Sequence, residues 1–328
     1  MKKIRIAVLI AAVVSAVSVA RAGTITENFA TDPLQDGWLI FGDTNLFSWD
    51  SINRDLAVTW DSSQSNSYFY HPVGDVLTQN DDFQFSFDLT LSNLTAGVNP
   101  DKPDAIEVGA GFGNFAAITD PGFVRAVSGQ NLAEFDYFPF FVDPDFGPFD
   151  ASVSPVIIST NFTFYGAFGY LITLTNGVAY TIRNDYTAST GTLVTTVTLA
   201  GSTNVLITTV TAPAVSGGDG FSVDTFSIFN YSDIGDDFDS IYGQGTIANV
   251  SFTIPPPIGN LAIASSNGVW QVQFASRSTW LYTLQSTPDF QSWQNASAAT
   301  PGNGGILVLQ DTNPPAAHAF YRVSAAHQ

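Results

Sequence analysis

The segment DDFQFSFDLTL, residues 81–91, alternates without a break. Phe83, Phe85, Phe87, Leu89 and Leu91 point one way, and Gln84, Ser86, Asp88 and Thr90 point the other. A side-chain period of two commits a chain to extended structure with one buried and one solvated face, the pattern of an antiparallel sheet. The alternation recurs in RDLAVTW (54–60), AIEVGAGFG (105–113), VAYTIRNDY (178–186), GTLVTTVTLAG (191–201), TNVLITTVTA (203–212), FSVDTFSIFN (221–230) and IANVSFTI (247–254). Gly, Asn, Asp and Pro punctuate these runs, and LAGSTN between two Thr/Val-rich runs reads as a hairpin turn. Helical periodicity is nearly absent beyond residue 22. Many short strands with almost no helix predict an all-β, two-sheet antiparallel sandwich.

The ends of the chain read differently. Residues 1–22, MKKIRIAVLIAAVVSAVSVARA, combine a basic start (Lys2, Lys3, Arg5), an apolar stretch and small residues at Ala20 and Ala22. That combination predicts a secretory signal peptide cut before Gly23. The protein is then expected to be secreted or held at the cell surface, and not to be an integral membrane protein after cleavage. The run IPPPIG (254–259) cannot feed a sheet ladder and predicts a stiff connector over 255–259. The expected organisation is a signal peptide (1–22), a sandwich domain (23–254), the Pro-rich linker and a small all-β module (260–328). Trp270, Trp280, Trp293, Phe320 and Tyr321 are the expected core of that module.

Charge and cysteine content exclude several classes of function. The chain has 10 Lys and Arg against 29 Asp and Glu, a net charge of −19. Cleavage after Ala22 removes four of the cations and none of the acids, so the exported form would carry −23. Such a surface repels phosphate backbones, so nucleic acid is excluded as a partner. With no cysteine, disulfides, zinc–thiolate sites and thiol nucleophiles are excluded as well.

A family resemblance rests on several runs: ITENFATDPLQDGWLIFGDTNLFSWD, DDFQFSFDLTL, NLAEFDYFP leading to SPVIISTNFTF, AYTIRNDYTASTGTLVTTVT, and VDTFSIFNYSD with GQGTIANVSFTIP. These resemble exported bacterial proteins with a concanavalin A-like, laminin-G-like jelly-roll domain. LYTLQSTPDFQSWQN with LQDTNPPAAHAFYRV resembles a small C-terminal β module of secreted bacterial proteins. The resemblance implies a jelly roll whose first and last strands lie side by side. It does not choose an activity, because that fold hosts lectins, glycosidases, lyases and adhesive modules.

The residues themselves favour binding over catalysis. A glycosidase needs two carboxylates set across the sugar, yet the only glutamates are Glu27, Glu107 and Glu134, with no paired spacing among them. Lyases of this architecture use a His, a Tyr and a cation; the large domain has one histidine, His71, read as a loop residue before Pro72. Aromatic platforms remain. Trp60, Tyr68 and Tyr70 in TWDSSQSNSYFYHP, the polar row Gln84 and Asp88 with Glu107 beside it, and Phe146 are the candidate ligand-binding residues. In the stretch AEFDYFPFFVDPDFGPFD (133–150), alternation sets Ala133, Phe135 and Tyr137 against Glu134, Asp136 and Phe138, and a loop follows. Asp143, Asp145 and Asp150 in that loop, and Asp236, Asp237 and Asp239 in IGDDFDS, could ligate calcium through oxygen. The expected function is non-catalytic binding or adhesion toward a polysaccharide or cell-surface glycan. The alternatives are a structural cell-surface protein whose C-terminal module serves attachment or sorting, and a carbohydrate-active enzyme using an Asp pair.

Overall fold

The computed structural model describes residues 23–125, 127, 131–139, 141–143, 147–149, 151–167, 169, 172–211, 220–235, 238–266, 269–278, 280–314 and 319–327. Two compact units are present, one over Thr24–Ile254 and one that includes Pro255–Gln328. The fold is nearly all-β, with a two-sheet antiparallel sandwich in the large unit and smaller sheets in the other.

In the large unit, β1 (Gly23–Glu27), β3 (Phe47–Asp50), β4 (Asp55–Asp61), β6 (Phe83–Ala96), β13 (Ala179–Thr187), β14 (Thr192–Leu199), β15 (Val205–Val210) and β17 (Ile241–Ile254) form one sheet. Its order is β15-β14-β13-β6-β17-β4-β3, with β1 also pairing β17, so the first and last strands are neighbours. The second sheet contains β2 (Leu39–Phe41), β5 (Ser67–Thr78), β7 (Val108–Gly113), β8 (Leu132–Phe138), β11 (Ser152–Ile158), β12 (Phe164–Gly166) and β16 (Ser222–Asn230). Its order is β12-β11-β8-β7-β16-β5-β2. Between β8 and β11 the chain forms a hairpin of β9 (Phe141–Asp143) and β10 (Gly147–Phe149), where the sequence reads as loop alone.

The alternation of 81–91 does what its period requires. Phe83, Phe85, Phe87, Leu89 and Leu91 are all buried between the sheets. Phe112 from the facing sheet meets the edges of Phe83 and Phe85 at centroid distances of 5.2 and 5.5 Å, and also those of Phe226 and Phe252. Each such ring contributes about 1.5–3 kcal/mol through burial, and edge-on geometry adds to it. Trp60, 1% exposed, belongs to this core. His71 is half-buried at the margin of this core: β5 continues through it to Thr78, and its ring packs on Trp38 and Phe252. Pro72 is tolerated there because β2 pairs β5 only over Tyr68–Tyr70, leaving a free edge beyond.

The small unit packs β18 (Ile258–Ser266), β19 (Val269–Ser276) and β23 (Ile306–Asp311) as one sheet. β20 (Trp280–Thr287) pairs β21 (Gln294–Asn295), β22 (Thr300–Pro301) and β24 (Phe320–His327) in another. Its buried core is Val272, Phe274, Tyr282, Leu284, Leu309 and Val323. The tryptophans expected there sit at its margin: Trp280 is half-buried, and Trp293 lies under the Arg322 guanidinium at 4.3 Å. A core this small has little room for indoles, and Trp is rarely fully buried because of its size.

Candidate functional site

The two sheets treat their outer faces differently. On the seven-stranded sheet, Phe112, Phe135 and Phe226 point into the sandwich, so the register sends Gly109, Gly111, Glu134, Asp136, Ser227, Phe229, Tyr68 and Tyr70 outward. That face is nevertheless largely covered there, because the segment 114–125 lies over it. A short helix α1 (Phe115–Ile118), N-capped by Asn114, places Phe115 against Tyr70 at 4.6 Å. The Tyr68 hydroxyl donates to the Ile118 carbonyl at 3.0 Å, and the Asn66 amide donates to the Phe123 carbonyl at 3.1 Å. Tyr68 is fully buried as a result.

Arg125 closes the cover. Its guanidinium donates to Glu134 Oε1 from Nε at 3.2 Å and from Nη2 at 2.8 Å. It also contacts Asp136 Oδ2 and Glu107 Oε1 directly, and stands 5.6 Å from the Tyr231 ring centre. The Tyr231 hydroxyl donates to the other oxygen of Glu134. Glu134 and Asp136 are fully buried, and Glu107 and the Arg125 side chain are nearly so. Strand β7 makes room by carrying glycine: a Cβ on Gly111 would fall 2.5 Å from the Ala133 carbonyl and from Glu134 Cα.

One cation cannot balance three carboxylates in such a place. Burial pushes the Asp136 carboxyl well above the usual range; Arg125 opposes this, while Glu134 and Glu107 add to it. For Arg125, burial works against the charge, but Asp136, Glu107 and Glu134 hold it further up than an ordinary arginine. Tyr231 is raised by burial and by Glu134.

The eight-stranded sheet has an open site. Tyr242, 38% exposed, has Asp61 on β4 and Thr95 on β6 as its ladder partners. These three, with Ser63, Val98, Asn99 and Asp233, line a cleft of about 520 Å³. Loop 97–104 forms its rim. Gly97 takes φ +61° there and donates to the Ser240 carbonyl at 2.8 Å; a Cβ would collide with the Pro103 carbonyl. Asn99 is fixed through its N–H to Ser240 Oγ at 2.9 Å. Asp61 accepts from Ser63 N at 3.1 Å, Ser63 Oγ at 2.6 Å and Gln64 Nε2 at 3.3 Å, which orients its carboxylate. The nearby cation, Lys102, donates to the Asp233 carbonyl and lies 3.8 Å from its carboxylate.

The residues singled out from the sequence are not brought together. Trp60 is in the core, Tyr68 and Tyr70 lie beneath segment 114–125, and Glu107 is in the Arg125 cluster. Gln84 and Asp88 are on the opposite sheet. Asp88 accepts from Thr181 Oγ1 at 2.5 Å and Asn249 Nδ2 at 2.8 Å, roughly 20 Å along the strands from Tyr242. Phe146, Asp145, Asp150, Asp236 and Asp237 lie outside the described residues, as does the side chain of Asp143. Asp239 forms a backbone bridge to Asp104. Among the described residues, no group of three or more His, Asp or Glu is arranged to hold a metal ion, and no helix is long and apolar enough to cross a membrane. The overlooked signal was SIYGQG (240–245), in which Tyr242 falls on the polar phase of its own strand.

No family model matches the chain, and no curated protein is similar to it in sequence. Among solved structures, a seed lectin of Lotus tetragonolobus is 14% identical, with a TM-score of 0.45 over 71% of this chain and 98% of its own. Lectin II from Ulex europaeus is 15% identical, with a TM-score of 0.41 over 70% and 97%. The alginate lyase from Klebsiella pneumoniae is 13% identical, with a TM-score of 0.40 over 66% and 86%.

Proposed function

We propose that this is an exported, non-catalytic glycan-binding protein whose binding site is the Tyr242 cleft. The observation that carries the reading is an aromatic ring left exposed on the polar face of a strand, with a carboxylate and a hydroxyl side by side on its two neighbours. A pyranose offers a C–H face to such a ring and a circle of hydroxyls to the acceptors and donors around it. The cleft volume falls within the usual range for small-molecule sites.

The non-catalytic part of the reading rests on the carboxylates. Glu107, Glu134 and Asp136 are buried against Arg125, and of the two carboxylates that line the cleft Asp233 stands beside Lys102 and the Ser62 hydroxyl while Asp61 is held by Ser63 and Gln64. The one histidine of the large unit, His71, turns its ring onto Trp38 and Phe252 at the margin of the sandwich core rather than into the cleft. Isothermal titration of residues 23–328 against an oligosaccharide panel tests the proposal. A ligand bound by the parent chain should lose about tenfold in affinity in Tyr242→Ala, the scale of one stacked ring. A ligand bound equally well by that variant would place the site elsewhere. Export is tested separately by the N-terminal sequence of the released protein, expected to begin at Gly23.

A further inference from the structure

We infer that the Tyr242 cleft selects a cationic amino-sugar glycan and rejects uronates; the inference rests on the glycan-binding reading above. Two carboxylates line the cleft, Asp61 and Asp233. A uronate entering there would need a cation. The nearby Lys102 is held by the Asp233 backbone carbonyl, with the Asp233 carboxylate 3.8 Å away, so its charge is already answered. Among the described residues, the Asp61 carboxylate has no cation as a partner; it accepts from the Ser63 N–H, the Ser63 hydroxyl and the Gln64 amide.

The ring and the charge work together. Asp61 and Tyr242 are cross-strand partners, so an ammonium group paired with Asp61 would lie beside the ring, and a cation over an aromatic face is attracted by its quadrupole. Beyond the cleft, the chain as a whole carries −19, so long-range attraction also favours a cationic polymer and repels an anionic one. A neutral sugar would find the stacking ring and the hydrogen-bonding groups but gain nothing from the charge.

Three hexasaccharides separate the outcomes: glucosamine hexamer, its N-acetylated counterpart and galacturonate hexamer, each titrated into residues 23–328 at mildly acid pH, where the amines are charged. The expected order is glucosamine first, the N-acetylated hexamer weaker, and no binding of the galacturonate. Glucosamine binding should weaken as salt is raised, and it should fall about two- to fivefold in Asp61→Asn, the scale of one exposed charge pair. That substitution keeps the turn, since an amide oxygen can still accept from Ser63. Galacturonate binding as tightly as glucosamine would overturn the charge selection and leave glycan binding in place, as would equal binding of the two glucosamine forms at every salt concentration. No binding of any of the three, together with no binding across the wider panel, would remove the underlying reading and this inference with it.

Discussion

Replacing Arg125 by methionine removes the positive charge that contacts Glu107, Glu134 and Asp136, and does so without removing much bulk. Solvent screening is slight, because Glu134 and Asp136 are fully buried and the arginine is 7% exposed. Breaking a buried pair in this way costs about 3–5 kcal/mol, since the partner charges stay behind without compensation. For a unit of this size that corresponds to a fall of about 6–20 °C in melting temperature. Differential scanning calorimetry of residues 23–328 reads the change. The companion variant Arg125→Met/Glu107→Gln/Glu134→Gln/Asp136→Asn leaves no charge under the cover and should recover most of the loss, because uncharged amides can be buried far more cheaply than unpaired carboxylates. The reasoning fails if the single substitution costs under about 1 kcal/mol, or if the fourfold variant is no more stable than the single one.

Other substitutions test separate parts of the argument. Asp136 has a folded-state pKa raised above its unfolded value, so its contribution is fully present below the unfolded value and is lost as pH rises toward the folded one. Asp136→Asn should therefore flatten the alkaline side of the stability-versus-pH curve, measured by urea denaturation; an unchanged slope would show that Asp136 is already ionised. His71 behaves in the opposite sense. Burial lowers its pKa, partly opposed by its contact with the Pro72 carbonyl, so stability tied to neutral imidazole is lost as pH falls through the unfolded histidine value. The ring resonances of His71 in an NMR titration should move below the usual histidine range, and a midpoint at or above it would contradict the burial. Gly111→Ala should cost about 1–3 kcal/mol, because backbone rather than a flexible side chain occupies the space a Cβ needs; a neutral result in thermal unfolding would mean that β7 and β8 separate easily. In the small unit, the Tyr282 hydroxyl donates to the Pro257 carbonyl at 2.5 Å and accepts from Arg277 N at 2.8 Å. Tyr282→Phe should lower the melting point of residues 255–328 through the loss of about 1–3 kcal/mol.

Much of the sandwich is legible because its strands obey one rule. The run 81–91 buries every residue that alternation assigns to the core, and β4, β13, β14, β15 and β16 match runs that alternate, β4 and β13 extending one residue beyond theirs. Legibility fails where both faces of a strand are buried. Every residue of β7 and β8 is buried, so alternation in GAGFG and LAEFDYF separates two faces without saying which is wet. The candidate residues Tyr68 and Tyr70 fell to the same ambiguity. Their face points away from the sandwich, as a binding platform would, but a segment about fifty residues further along the chain covers it. Nothing local to SYFYHP encodes that cover.

The stretch 133–150 shows what the missing information was. Glu134 and Asp136 alternate with Phe135 and Tyr137, a pattern that reads as two carboxylates turned to solvent beside a packed core. In the fold they are fully buried, and the group that makes this tolerable is Arg125, nine residues before Glu134 in sequence. Residues 23–328 contain only six Lys and Arg, so a cation flanked by Phe123, Val124 and Val127 was itself a clue: an isolated arginine among apolar residues in an acidic chain has a carboxylate to meet. The acids that are clustered in this chain are thereby divided. Those facing Arg125 hold the cover in place, whereas Asp61 stands beside an exposed ring with only the Ser63 and Gln64 donors on its carboxylate. That division, more than the count of acids or aromatics, is what favours the proposed site in the Tyr242 cleft over the outer face of the seven-stranded sheet.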